Sequence, residues 1–296
     1  MVIIMDSVFL GTGAAEMYPN PFCACPICQR ARENRETRLR AAFLLDEKTM
    51  IDFGPDVPAA SQHYGANLAE VENVLITHTH YDHFNASTLD ILTMTNMNHT
   101  MHFYFSPEGL EWVNTVTELS KHLGGTIGVI IDELLKRNKI ALHALPLFET
   151  AQVGDKLVTP IRTNHHGNTG AEFAQNYLID WAKGRWLYAC DTGIYGEENL
   201  SFLKDFCKNG RALDVLITEG TNGSLHHPQS AGHMTAENLC IQMEKLRSVG
   251  ALDDHTRVYI THINQVQHFS HAEYQAYLDL HAPAHVTVAH DGMRIY

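Results

Sequence analysis

The chain has 296 residues, 45% of them hydrophobic, and a formal net charge of −13 with histidine neutral. That length carries a substantial core, in one large α/β domain or two small ones, and the acidic balance argues against general nucleic-acid binding through a basic surface. No run of about 18 apolar residues is present, so no membrane span is expected; Met1–Asp6 lacks the charged region and cleavage site of a signal peptide, so the expected location is cytoplasmic.

In chain order, residues 2–10 read as a first strand that ends in Gly11-Thr12-Gly13. This turn lacks the remaining glycine or lysine of a nucleotide-binding loop, so a plain tight turn is expected. Cys23, Cys25 and Cys28 follow at C-x-C-x-x-C spacing, half of the six cysteines in the chain. In a reducing compartment such a cluster points to metal rather than to a disulfide, and three thiolates can occupy three corners of a tetrahedron. A polar helix is expected over 29–38, two strands joined by a turn over 40–53, and a short helix over 55–65.

A strand over 72–77 leads into Thr77-His78-Thr79-His80-Tyr81-Asp82-His83. Three imidazoles and a carboxylate within six residues are the donors that borderline divalent metals prefer. If the strand continues through Thr77, the period of two sends His78 and His80 to one side, with Asp82 and His83 where the chain turns away. One loop then offers two pairs of ligands to two neighbouring ions.

Helices are expected over 85–97, from Ser106-Pro107-Glu108, and over 126–138, where Ile127, Ile130, Ile131, Leu134 and Leu135 form one apolar face. His102-Phe103-Tyr104-Phe105 reads as a strand between the first two. The second half repeats this rhythm. Strands lie within 139–163, over 174–180 and 185–190, and over 214–217 and 257–260. Helices span 235–247 and 271–281, and a strand pair closes the chain around Asp291-Gly292. Several strands end at a metal-capable residue: His78 and His80, then His165 with His166 beside it, Asp191, and His262. Ligands gathered at strand ends along one sheet edge are how α/β enzymes usually assemble chemistry.

The motif H-x-H-x-D-H at 78–83, followed in order by His165, Asp191 in D-T-G and His262, resembles the metallo-β-lactamase fold superfamily. The early F-L-G-T-G and the C-x-C-x-x-C run are similar to its PhnP-type branch of cyclic-phosphate phosphodiesterases, close to the RNase Z group. The resemblance covers nearly the whole chain and implies a single α/β domain over 1–296, a four-layer αββα sandwich. It implies one active-site ion on His78, His80 and His165, a second on Asp82, His83 and His262, and Asp191 bridging them. His165 is preferred to His166 because it stands five residues after Pro160, as in those relatives. The ions would be zinc or manganese, with iron a third option, since affinity order does not set occupancy.

A third, structural zinc is implied on Cys23, Cys25 and Cys28. The relatives' fourth ligand falls here on Gln265, a poor donor, and His268 is the expected substitute. His233 matches a histidine that contacts phosphate in those relatives, just before a helix whose amide ends also favour an anion.

The implied reaction is attack on phosphorus of a small cyclic phosphodiester by a hydroxide bridging the two metals. Asp82, Asp191 and His233 are the catalytic side chains. The same donors could serve a lactone or thioester hydrolase, or a metal-binding module without catalysis. The expected partner is a small phosphorylated substrate; no membrane and no general nucleic-acid binding are expected, and a homodimer is an assembly the sequence allows.

Overall fold

The computed structural model of the protein describes residues 7–224, 232–264 and 269–296. The first half contains strands β1 (Ser7–Gly11), β2 (Ala42–Leu44), β3 (Thr49–Ile51), β4 (Asn73–Leu75), β5 (Met101–Phe105) and β6 (Ile140–Ala144). Helices α1 (Pro26–Asn34), α2 (Val57–Tyr64), α3 (Asp90–Thr93), α4 (Pro107–His122) and α5 (Thr126–Lys136) lie between them. The second half contains β7 (Ala151–Val153), β8 (Lys156–His166), β9 (Phe173–Trp181), β10 (Gly184–Ala189), β11 (Val215–Glu219), β12 (Arg257–Thr261), β13 (Val286–Val288) and β14 (Arg294–Ile295). Its helices are α6 (Glu197–Phe206), α7 (Ala236–Ser248) and α8 (His271–His281).

Among the described residues two seven-stranded sheets form, in the orders β14-β1-β2-β3-β4-β5-β6 and β13-β12-β11-β10-β9-β8-β7. In each, an antiparallel portion gives way to a parallel one: from β3 onward in the first, and from β10 onward in the second. Alternation along the strands sorts the core into three layers. Val8 and Leu10 face the helices of the first half, whereas Phe9 between them faces the other sheet. Leu216, Val258 and Ile260 face α6, α7 and α8, whereas Val215, Ile217 and Tyr259 face inward. Two sheets with helices on both outer faces are the expected α/β sandwich.

Three local expectations are corrected. The helix expected over 85–97 is a 3-10 turn (Ala86–Leu89) followed only by α3. Thr93 and Thr95 hydroxyls bond back to the carbonyls of Asp90 and Ile91, and the Lys139 ammonium takes the carbonyls of Leu92, Thr93 and Thr95. These bonds satisfy the helix end and stop it. α1 begins earlier than expected, at Pro26, and stops at Arg35, which is left-handed with φ 55°. The closing strands do not pair with each other: β13 joins β12 and β14 joins β1, in different sheets. The turn between them is pulled across by Asp291, whose carboxylate accepts from the Thr12 hydroxyl and the Leu39 amide, both at 2.6 Å. Helix α6 has no counterpart in the sequence reading.

The layer between the sheets is aromatic. Trp186 is 2% exposed, meets Trp181 edge-on at 5.6 Å between ring centroids, and lies near Phe43. Trp186→Ala is expected to lower the unfolding free energy by about 3–5 kcal/mol, read from the shift in a urea unfolding curve.

Candidate metal centre

The site sits where strands of both sheets end. The first sheet supplies the segment after β4, and the second supplies the ends of β8, β10 and β12. Strand β4 stops at Leu75, so His78 and His80 stand on a loop and not on a pleated strand, contrary to the expectation. They meet nonetheless, with His78 Nε2 2.9 Å from His80 Nδ1. His165 Nε2 completes the group, 3.2 Å from the same nitrogen. On the other side His83 Nε2 lies 3.2 Å from Asp82 Oδ2 and 3.3 Å from His262 Nε2.

Asp191 stands between the two triads. Its Oδ2 is 3.4 Å from His78 Nε2 and 3.7 Å from His165 Nε2 on one side, and 3.2 Å from His83 Nε2 on the other. Its Oδ1 is 3.0 Å from His262 Nε2. All seven expected ligand residues are therefore gathered at one place. His166 is not among them: it is exposed and its ring packs on Phe173.

Neighbours fix which ring nitrogen faces inward. His83 Nδ1 donates to Asp52 Oδ2 at 2.7 Å. The Thr77 hydroxyl donates to Asp52 Oδ1 and is placed to accept from His78 Nδ1 at 3.1 Å. Thr221 Oγ1 lies 2.8 Å from His262 Nδ1. With Nδ1 protonated in these three rings, the lone pairs of three Nε2 atoms converge on each other and on carboxylate oxygens. Lone pairs at such separations repel unless a cation, a proton or a metal ion, lies among them. Tetrahedral zinc with Zn–N bonds of about 2.0 Å sets its nitrogens about 3.3 Å apart, close to the separations observed. Donor type, tautomer and spacing all fit divalent ions.

The electrostatics agree. Burial lowers His165 to about 4 and takes His78 well below its ordinary value, which leaves both rings neutral, the form that binds metal. At His262 burial also pulls downward, but Asp191 and Asp82 outweigh it and raise the ring to about 10. The second triad thus stabilises positive charge beside Asp191 and Asp82.

The backbone contributes strain. Asp52, Asp191 and His262 have φ of 66°, 52° and 56°, a left-handed conformation uncommon for residues other than glycine. Each lies one or two residues beyond its strand, where the chain turns a side chain toward the site. Gly54 is required nearby, because a Cβ there would lie 2.0 Å from the Asp82 carbonyl oxygen.

His233 flanks both groups, its ring centroid 4.7 Å from that of His165 and 5.5 Å from that of His262. Its Nδ1 donates to Glu219 Oε1 at 2.9 Å. Fully buried Glu219 also accepts from the amides of Thr192 and Met234. Sequence reasoning missed Asp52, Thr77, Glu219 and Thr221. For Asp52 and Glu219 the available signal was an acidic residue at the end of a strand-like run, one or two residues before a glycine, in M-I-D-F-G and in L-I-T-E-G. Away from this centre, the sulfurs of Cys23, Cys25 and Cys28 lie within 4.8 Å of one another at the start of α1. Their expected fourth ligand, His268, lies outside the described residues, as do Gln265, His226 and His227.

Residues 48–263 match the family model described as beta-lactamase superfamily domain. Among solved structures the chain is similar to a diphosphatase from the PhnP family, with 21% identity and a TM-score of 0.68 over 100% of this chain and 98% of that one. It is also similar to Zn(2+)-bound PqqB from Methylobacterium extorquens, with 17% identity and a TM-score of 0.70 over 99% and 100% of the two chains. Among curated proteins it is 23% identical over 295 residues to an octanoyltransferase of Porphyromonas gingivalis, covering 98% of this chain and 51% of that protein. The chain thus spans about half the length of this curated relative.

Because Asp52 orients His83 through its Nδ1 and does not itself join the cluster of inward-facing donors, Asp52→Asn is expected to weaken metal binding by about 10–100-fold, read by competitive chelator titration. Elemental analysis of the purified protein is expected to give about three metals per chain if the cysteine cluster is filled, and about two if it is not.

Proposed function

The chain belongs to the beta-lactamase superfamily, as a metal-dependent hydrolase of that family, and we propose that it is a phosphodiesterase using two divalent ions on a small, cyclic phosphodiester. The observation that carries the two-ion reading is the Asp191 carboxylate, within 3.7 Å of ring nitrogens of both histidine groups. His78, His80 and His165 would hold one ion, and Asp82, His83 and His262 the other, with Asp191 shared. Bound there, the ions supply Lewis acidity, lowering the pKa of water from 15.7 to about 7 and polarising a phosphoryl oxygen. Zinc and manganese both suit this donor set.

The chain's own groups do the rest. Asp82 and Asp191 present carboxylate oxygens that orient the attacking water, and Asp191 accepts its proton. His233 is held by Glu219 through Nδ1, which leaves Nε2 to donate to a non-bridging phosphoryl oxygen or to the departing alkoxide. This imidazole, charge-assisted by a buried carboxylate and set beside both triads, favours phosphorus over the carbonyl carbon of a lactone or thioester. The PhnP-family diphosphatase supports the same choice. A net charge of −13 favours a small substrate over a polynucleotide. Ligands come from both sheets, which supports reading 1–296 as one catalytic domain.

The purified protein, tested on bis-p-nitrophenyl phosphate, cyclic nucleotides, lactones and thioesters, is expected to turn over the phosphodiesters; turnover confined to lactones or thioesters would replace the substrate assignment. Asp191→Ala is expected to lose metal and activity together. His233→Ala is expected to keep its metal while kcat falls about 10²-fold.

A further inference from the structure

We propose that Cys190 is a further ligand in this centre, giving a thiolate to the ion held by Asp82, His83 and His262, and that this sulfur biases the second site toward zinc over manganese. The inference rests on the two-ion reading above.

Cys190 belongs to the row Trp186, Tyr188, Cys190 that β10 and its extension turn toward the other sheet. In regular extended backbone the next residue would point to the opposite face. Asp191 is left-handed instead, with φ 52°, and this twist brings its carboxylate back to the side of the thiol. Cys190 Sγ consequently lies 3.4 Å from Asp191 Oδ1. That oxygen faces the second triad, 3.0 Å from His262 Nε2, so the sulfur is placed beside the second ion and not the first.

Ligand atoms of His83, Cys190, Asp191 and His262 all lie within 4.8 Å of one another, and all four residues are buried. With Asp82, His83, His262, the shared Asp191 and Cys190 the ion is five-coordinate, and with metal–sulfur and metal–oxygen bonds of about 2.3 and 2.1 Å its neighbouring ligands sit about 3.1–3.8 Å apart. The observed 3.4 Å matches an edge of such a polyhedron.

A buried cysteine is most often a small apolar filler. Cys207, packed with the apolar side chains around α6 and α7, fits that description. Cys190 differs in having a carboxylate and two inward-facing imidazoles within reach of its sulfur. Thiolate is a soft donor that favours zinc, cadmium and cobalt; a set of imidazole and carboxylate alone discriminates less against manganese. On coordination the thiol proton passes to solvent, and sulfur occupies the position from which S–H now donates to Asp191.

The test uses the full-length protein, stripped with chelator and reloaded with Co(II), compared with Cys190→Ser and Cys190→Ala. Thiolates of Cys23, Cys25 and Cys28 add the same near-ultraviolet sulfur-to-cobalt band to all three samples, so the difference spectrum reports Cys190. The expected result is a loss of one thiolate's intensity in both variants, with zinc-over-manganese preference in competition dialysis reduced about 10-fold or more. Superimposable spectra and unchanged preference, at equal metal content, would overturn the proposal and leave Cys190 as a hydrogen-bonding core residue. Wild-type protein that takes up no ion beyond the cysteine cluster would overturn the two-ion reading itself. Should neither variant fold, 113Cd NMR of the wild type decides: a resonance displaced downfield by one sulfur at the histidine site supports the proposal, and its absence rejects it.

Discussion

The Asp52 carboxylate is buried between the end of β3 and the metal loop, and the geometry of the centre depends on it. Oδ1 accepts from the Thr77 amide and hydroxyl, and Oδ2 from His83 Nδ1. One side chain thereby fixes where the loop leaves β4, the tautomer of His83 and, through Thr77, the orientation of His78. Burial pushes the Asp52 carboxyl upward, and the bonds from His83 and Thr77 work against that rise. A carboxylate with no water around it is tolerable only when its lone pairs are filled in this way.

The same device recurs on the other elements that reach the site. Glu172, fully buried at the start of β9, accepts from the amide and hydroxyl of Thr79 and from the Asn168 amide, so it ties the metal loop to the hairpin that carries His165. Glu219 at the end of β11 ties Thr192, beside Asp191, to His233 and Met234. Three buried carboxylates thus join the loops of two sheets into one framework. Side chains that meet an ion must be held within fractions of an ångström, and hydrogen-bonded supports behind them do that better than loop backbone alone.

Several residues of the centre and of its supports sit in left-handed backbone. Glycine adopts that conformation at no steric cost, but glycine has no donor to offer. The chain therefore keeps aspartate or histidine at positions 52, 191 and 262 and holds them there through the surrounding contacts. At Asp191 the same twist brings the preceding Cys190 onto the same side as the carboxylate.

The sequence by itself determined which candidate donors are offered and the frame that carries them. H-x-H-x-D-H, then His165, Asp191 and His262, each stand just beyond or at the end of an apolar strand, and the periodicity of apolar residues placed most of the strands and helices. These signals are legible because ligand chemistry and side-chain alternation are local properties of a chain. Only the tertiary structure decided the rest. It showed that His78 and His80 meet on a loop, that His165 and not His166 faces inward, and that the closing strands part to different sheets. It brought Asp52, Glu219 and Cys190 to the centre. Each of those outcomes depends on a partner far away in the chain: Asp52 on residues 77 and 83, Glu219 on residues 192 and 233, Asp291 on residues 12 and 39. A hydrogen bond between distant residues leaves no period in the sequence, and so it becomes visible only when the two sheets are packed together.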